Sequence, residues 1–273
     1  LKINVAKNIG FCFGIERAVD LVYNEIEKGG HIYTYGPITH NEEVLKDLSN
    51  KGVRVIESLK ELNEIPKGTI IIRAHGLSKN QIDELSSHGH LVMDATCPFV
   101  KKIHKSVSKH SDRHIIIVGD TLHPEIQGIV GWCENDNYTV IQDVEDANKL
   151  KLPLGSKLCI VAQTTFNYNR FEELVEIISK KGYDILVLNT ICNATQLRQT
   201  EAYELAKNSD AMIVIGGKQS SNTRKLYEIC KKECENTYYI QKPDDLDLNS
   251  FKSFRNVGIT AGASTPHNII KEV

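Results

Sequence analysis

The stretch Asp94-Ala95-Thr96-Cys97-Pro98-Phe99-Val100 puts a thiol at the start of a helix. Residues 90–93 read as a buried strand. Pro98 suits a first helical turn, where the N–H it lacks would have no partner, and Val100, Ile103 and Val107 recur at helical spacing. A helix N-terminus stabilises a thiolate, the form that ligates metals and attacks electrophiles. A lone cysteine is more often a small core residue, but this corner occurs three times. Residues 5–11 lead to Cys12, then to Ile15, Val19, Val22 and Ile26 on one helical face. Residues 185–191 lead to Cys192, then to a helix carrying Leu197 and Leu205. Cys12 and Cys97 lie 85 residues apart, and Cys97 and Cys192 lie 95 apart. Three cysteines at matching points of three units have the pattern of ligands to one shared centre.

Two further corners recur in each copy. Strand-like residues 32–35, 115–118 and 212–215 run into Gly36, Gly119 and Gly216, and four residues later stand His40, His123 and Ser220. Strand-like residues 69–74, 158–162 and 257–261 run into His75, the Gln163–Thr164 pair and the turn from Gly262 to Ser264. Aligning Ala74, Ala162 and Ala261 places these last three groups together. Imidazole, hydroxyl and amide donors at helix N-termini make an anion site. His40, His75, His123, Ser220, Ser221, Asn222 and Ser264 therefore suit a phosphate or diphosphate. A single histidine is ordinarily a hydrogen-bonded structural residue, and His31, His88, His90, His104, His110, His114 and His267 are read that way or as exposed. Residues 216–220 resemble a phosphate loop without the Walker spacing, and no dinucleotide fingerprint occurs.

His123-Pro124-Glu125 adds a carboxyl that the other copies lack. A partly buried glutamic acid can hold a proton and deliver it as a general acid; otherwise Glu125 is a first-turn residue complementing the helix dipole. Thr164 and Thr165 are placed to orient that carboxyl or a substrate hydroxyl. Three thiolates without a fourth suit an iron–sulfur cluster with one iron open to substrate, because such clusters are usually held by four. Zinc on the same three thiolates is the competing reading, and the lack of paired C-x-x-C spacing favours iron–sulfur. Cys133, Cys159, Cys230 and Cys234 fall outside the repeat. Cys159 reads as strand core, and Cys230 and Cys234 as one helix face with a metal pair as the lesser reading.

The elements that must carry these residues are threefold repeated: landmarks keep their order over 1–88, 89–181 and 182–273. Strand–helix alternation predicts an α/β chain of parallel sheets with right-handed crossovers. Ligands gather at the carboxyl ends of such strands, and all nine corners are carboxyl ends. Three small units turning these ends inward would enclose one central site. Folded modules are offset from the sequence repeats if the strand before each cysteine belongs to the preceding sheet.

A length of 273 residues allows two or three cores. A formal charge of −2 provides no basic field for nucleic acid, and no apolar run is long enough for a membrane span. Seven cysteines scattered through α/β stretches point to a reducing compartment. The chain begins at Leu1, which is compatible with a removed transit peptide.

These residues resemble the 4-hydroxy-3-methylbut-2-enyl diphosphate reductase family, the last enzyme of the methylerythritol phosphate route to isoprenoids. The matching elements are GFCFGIERAV at Cys12, GPITHNE at His40, RAHG at His75, DATCPFV at Cys97 and HPE at His123 and Glu125. QTT at Thr164, TIC at Cys192, SSNT from Ser220 and the serine at Ser264 complete them. They span nearly the whole chain in family order. Leu122 stands where glycine is common and Phe99 where the family varies; neither is a functional side chain.

The resemblance implies one 4Fe–4S cluster held by Cys12, Cys97 and Cys192, with its open iron on the allylic hydroxyl. It implies a substrate site of His40, His75, His123, Thr164, Ser220, Ser221, Asn222 and Ser264. Glu125, helped by His123 and Thr164, would supply protons. Two electrons and two protons would remove the hydroxyl as water and give isopentenyl and dimethylallyl diphosphate, with ferredoxin or flavodoxin as donor. The implied modules are 13–97, 98–192, and 193–273 completed by 1–12, related by pseudo-threefold symmetry around the cluster. The implied setting is soluble: a bacterial cytoplasm, or a plastid or apicoplast stroma after transit-peptide removal. Two other classes compete. A non-redox hydro-lyase acting on a hydroxy acid should show arginine forks for a carboxylate, whereas histidines and serines stand here. An iron–sulfur sensor gives no reason for Glu125 or the histidines.

Overall fold

The structure, a computed structural model, describes all residues from Leu1 to Val273. The chain opens with β1 (Lys2–Val5) and α1 (Phe13–Lys28). β2 (Ile32–Tyr35), α2 (Glu42–Asn50), β3 (Arg54–Ile56), β4 (Thr69–Ile72), α3 (Lys79–Ser87) and β5 (Leu91–Asp94) follow. Next come α4 (Pro98–Lys109), β6 (His114–Val118), α5 (Pro124–Val130), β7 (Tyr138–Ile141), α6 (Val144–Lys149), β8 (Lys157–Ala162), α7 (Tyr168–Ser179) and β9 (Asp184–Val187). The chain closes with α8 (Asn193–Lys207), β10 (Ala211–Ile215), α9 (Ser221–Glu233), β11 (Thr237–Ile240), β12 (Asn256–Ala261) and α10 (His267–Glu272).

The strands form three four-stranded sheets, ordered β3-β2-β4-β5, β7-β6-β8-β9 and β11-β10-β12-β1. Every pairing is parallel. The α/β reading with three parallel sheets therefore holds, and one strand plan is used three times. Parallel strands need crossovers, whose helices cover both faces, so central strands become continuous apolar runs. β6 and β8 show this directly. Ile116, Val118, Leu158 and Ile160 pack with Phe171, Leu174 and Ile178 on one face, while Ile115, Ile117, Cys159 and Val161 pack with Ile103, Val107, Ile126 and Ile129 on the other.

Twelve strands replace the nine read from sequence. The additional β3, β7 and β11 are sheet edges of three or four residues, too short to leave an apolar run. The strand before each cysteine does pair with the preceding sheet: β5 with β4, β9 with β8, and β1 with β12. The alanine alignment is corrected by the ladder. Tyr35 pairs with Ile72, Val118 with Ala162 and Ile215 with Ala261. Ile72, not Ala74, is thus the equivalent of Ala162 and Ala261, and His75 matches Thr165 and Ser264.

Two compact units result. One comprises 1–19, 37–51 and 193–273 and holds the third sheet; the other comprises 20–36 and 52–192 and holds the first two.

Candidate active site

In the unit built from 20–36 and 52–192, Cys97 caps α4, with Pro98 in the first turn as its missing N–H allows. Its backbone N–H donates to Ala74 O at 2.9 Å, and the N–H of Cys192 donates to Thr164 O at 3.0 Å. Each cysteine is thus fixed to the loop leaving the adjacent third strand. His123 caps α5 and accepts from the Glu125 N–H through Nδ1 at 3.1 Å. Its ring meets that of His75 edge-on at 5.2 Å.

Glu125, 1% exposed, points inward. The backbone N–H of Thr164 donates to its Oε1 at 2.6 Å and the Thr164 hydroxyl donates to Oε2 at 2.7 Å. Burial pushes the carboxyl pKa up to about 7 against these two bonds, which favour the ionised form. The group is therefore poised to hold and release a proton near neutrality. Thr164 links it through its own carbonyl to the Cys192 backbone. Gln163 is a supporting residue that sequence reading left without this role: its Oε1 accepts from Asp120 N at 3.2 Å and its Nε2 donates to Thr165 Oγ1 at 2.9 Å. It pins the loop that delivers His123.

In the unit built from 1–19, 37–51 and 193–273, the Cys12 N–H donates to Ala263 O at 3.0 Å, the same pattern as at the other two cysteines. Ser220 caps α9, and Ser221 and Asn222 form its first turn. Asn222 Oδ1 accepts from Ala263 N at 2.9 Å, while its buried Nδ2 has no hydrogen-bond partner. Ser264 Oγ is likewise buried and unpartnered. His40 belongs to the same neighbourhood: a Cβ on Gly217 would stand 1.8 Å from the His40 carbonyl oxygen, so only glycine permits this approach. In this repeat the helix cap is Asn41 rather than the histidine, one residue later than at His123 and Ser220. Helix N-terminal amides, a spare amide N–H₂ and a spare hydroxyl form a donor set for an oxyanion.

No disulfide links any of the seven cysteines. Burial pushes Cys133 and Cys230 up to about 12 and Cys159 to about 11, and raises Cys234. Cys159, Cys230 and Cys234 are buried and Cys133 is half-buried, and all four thiols are held protonated, the form that ligates metals poorly. Cys12, Cys97 and Cys192 are partly exposed. No three His, Cys, Asp or Glu side chains gather as ligands of a single ion. His104, left out of the site by sequence, is buried and stacked on Trp132 at 5.1 Å, and burial lowers its pKa to about 4.

The family model for the LytB protein matches residues 3–273. The chain belongs to the LytB family. This LytB chain is 48% identical over its whole length to the 4-hydroxy-3-methylbut-2-enyl diphosphate reductase of Thermoanaerobacter sp. (strain X514), covering 95% of that protein. It is 43% identical to the protein of the same name from Clostridioides difficile (strain 630), covering 98% of it. Among solved structures it resembles the E-1-hydroxy-2-methyl-but-2-enyl-4-diphosphate reductase from Plasmodium falciparum, with TM-score 0.92 and 29% identity over 99% of this chain and 86% of that one. A second structure, described as (E)-4-hydroxy-3-methyl-but-2-enyl diphosphate reductase, the terminal enzyme of the non-mevalonate pathway, matches with TM-score 0.72 and 39% identity over 100% of this chain and 98% of that one. No helix of the LytB chain is long and apolar enough to cross a membrane.

Proposed function

We propose that this chain reductively removes the hydroxyl of (E)-4-hydroxy-3-methylbut-2-enyl diphosphate, giving isopentenyl and dimethylallyl diphosphate. The observation that carries the proposal is a buried carboxyl with a pKa near 7, tied through Thr164 to the backbone of Cys192. Family membership and the names of the relatives support the same reaction. The donor set fits the implied cofactor, since Cys12, Cys97 and Cys192 stand at three equivalent strand–helix corners while the other four cysteines lie outside them, with thiols that burial holds protonated. Cys12, Cys97 and Cys192 would hold a 4Fe–4S cluster, which when bound would supply Lewis-acid and two-electron redox chemistry.

The chain's own residues do the rest. Asn222 Nδ2, Ser264 Oγ, Ser220, Ser221, His40, His75 and His123 hold the diphosphate and so fix the far end of a five-carbon chain, which positions the carbon bearing the hydroxyl. Glu125, kept protonated by burial below about pH 7, delivers a proton. Thr164 aims that carboxyl and the substrate hydroxyl. The C–O bond breaks with two electrons, the oxygen leaves as water with one proton supplied, and the allylic remainder takes the second proton at either end. Ferredoxin or flavodoxin supplies the electrons. The modules are 13–97, 98–192, and 193–273 with 1–12, in a soluble protein of a bacterial cytoplasm or a plastid-type stroma.

The test is anaerobic turnover of the hydroxylated five-carbon diphosphate with a chemical reductant, with iron and sulfide assayed on the same sample. Both products with about four irons per chain are expected. A full cluster without reductive turnover would overturn the reaction, and a chain that takes up zinc but no cluster after anaerobic reconstitution would overturn the cofactor.

A further inference from the structure

The loops that deliver the three cysteines differ in length and in what braces them. Two residues separate β5 from Cys97, four separate β9 from Cys192, and six separate β1 from Cys12. A longer loop loses more conformational freedom when fixed. The two shorter loops each carry an internal brace: Asp94 Oδ1 accepts from Thr96 N at 2.8 Å, and Asn189 Oδ1 accepts from Ile191 N at 3.1 Å, with Thr190 Oγ1 also accepting from Ala162 N on the neighbouring β8 at 2.8 Å. The Cys12 loop is braced by α8, from the far end of the sequence. Glu201 Oε1 accepts from Lys7 N at 2.6 Å, and its Oε2 accepts from Asn8 N at 2.8 Å and from Asn8 Nδ2 at 3.2 Å. One turn earlier, Arg198, only 6% exposed, donates from Nη1 to Asn8 O at 3.0 Å and to Ala261 O at 3.4 Å. Ala261 ends β12, and Ala263, two residues on, accepts from the Cys12 N–H.

We infer that Arg198 and Glu201 are positioning residues that hold the Cys12 loop, and through it the Cys12 sulfur, in ligating geometry. The inference rests on Cys12 being a cluster ligand. Burial works to raise the Glu201 pKa, but the hydrogen bonds from Lys7 and Asn8 outweigh it and hold the carboxyl below its usual range. The bonds to the loop are therefore charge-assisted at neutral pH, and such bonds are stronger than neutral ones. Both side chains grip backbone atoms on either side of one peptide segment, so the brace fixes the path of the loop rather than the identity of its residues. The helix that carries it starts at the residue after Cys192.

The test uses the full chain, reconstituted anaerobically with iron and sulfide, and measures the rate of iron loss to a chelator together with the electronic spectrum of the reduced protein. Glu201→Gln and Arg198→Met are expected to release iron about tenfold faster or more, the size of losing a charge-assisted hydrogen bond. Arg198→Lys, which keeps the charge but not the fork, should fall between Arg198→Met and wild type. Melting midpoints of the apoproteins separate a local brace from general weakening: iron release from Glu201→Gln should rise beyond what any lowering of its midpoint accounts for. Glu176→Gln, which breaks only an exposed ion pair with Lys180 on α7, should behave as wild type throughout. Wild-type release rates and spectra in both Glu201→Gln and Arg198→Met would overturn the inference alone. So would faster release that simply follows a lowered apoprotein melting midpoint in every variant. A wild-type chain that takes up no cluster would overturn the proposed function and this inference with it.

Discussion

Glu125 on one side, and Asn222 and Ser264 on the other, are buried to a similar degree, at 1%, 3% and 4% exposure. Their polar atoms are treated in opposite ways. Both oxygens of Glu125 are taken by Thr164. The Asn222 Nδ2 and Ser264 Oγ donors meet no partner at all. Folding satisfies buried polar groups almost everywhere, and each exception costs about 1–3 kcal/mol. A carboxyl held on both oxygens is a finished part of the fold, whose proton affinity the protein sets for itself. A buried amide and hydroxyl left without partners, the amide in the first turn of α9, are an unfinished part of the fold, with donors to spare for an oxyanion. On the function proposed above, the first region moves a proton and the second receives the diphosphate.

The sharpest way to break this contrast is Glu125→Gln. Turnover should fall about a hundredfold or more, the usual size of a general-acid contribution, while substrate affinity measured by anaerobic titration stays at the wild-type value. Weakened binding with little loss of turnover would reassign the carboxyl to the ligand side. The same residue makes stability depend on pH. Its folded pKa of about 7 lies above the ordinary 4.5, so the folded chain binds more protons than the unfolded one between these values. Its contribution is fully present below about pH 4.5 and is lost as pH rises through about 7, by about 3 kcal/mol at most. Denaturant midpoints of the apoprotein across that window should show the slope, and Glu125→Gln should flatten it.

Thr164→Val strips a hydroxyl from a buried carboxyl and should destabilise the apoprotein by about 1–3 kcal/mol in urea titration. Ser264→Ala removes a donor that has no partner, so the apoprotein should be as stable as wild type or slightly more so. The same change should weaken diphosphate binding about tenfold, equal to about 1.4 kcal/mol. A Ser264→Ala chain that is destabilised but binds normally would show that the hydroxyl serves the fold.

The parts legible in sequence were those with local signals. Apolar runs and helical spacing marked the central strands and helices, Pro98 marked the start of α4, and the broken symmetry at Glu125 marked the carboxyl. β3, β7 and β11 were invisible because three or four half-buried edge residues carry no periodicity. The alanine alignment misled because a small residue just past a strand looks like one at its end. Only the ladder shows that Ala74 corresponds to Thr164 and Ala263, each accepting from a cysteine N–H. The residues proposed to hold the diphosphate were singled out by repeat position. The Arg198–Glu201 brace could not be read that way, since both side chains bind backbone atoms of Lys7 and Asn8 some 190 positions away. Its one hint is an arginine on a helix face that also buries Thr195, Gln199, Ala202 and Ala206.

The pairing of β1 with β12 has a consequence for how the protein matures in the cell. Lys2 is laid against Asn256, and the Cys12 amide is anchored to Ala263. Within residues 1–273, β1 is synthesised before, and β12 after, every other strand. The first two sheets draw only on strands already emerged and can close while synthesis continues. The Cys12 corner lacks its β12 and Ala263 partners until residues 256–263 have been made. A ligand that needs this corner in its folded form must therefore wait for β12, although Cys12 is made before the other six cysteines of residues 1–273.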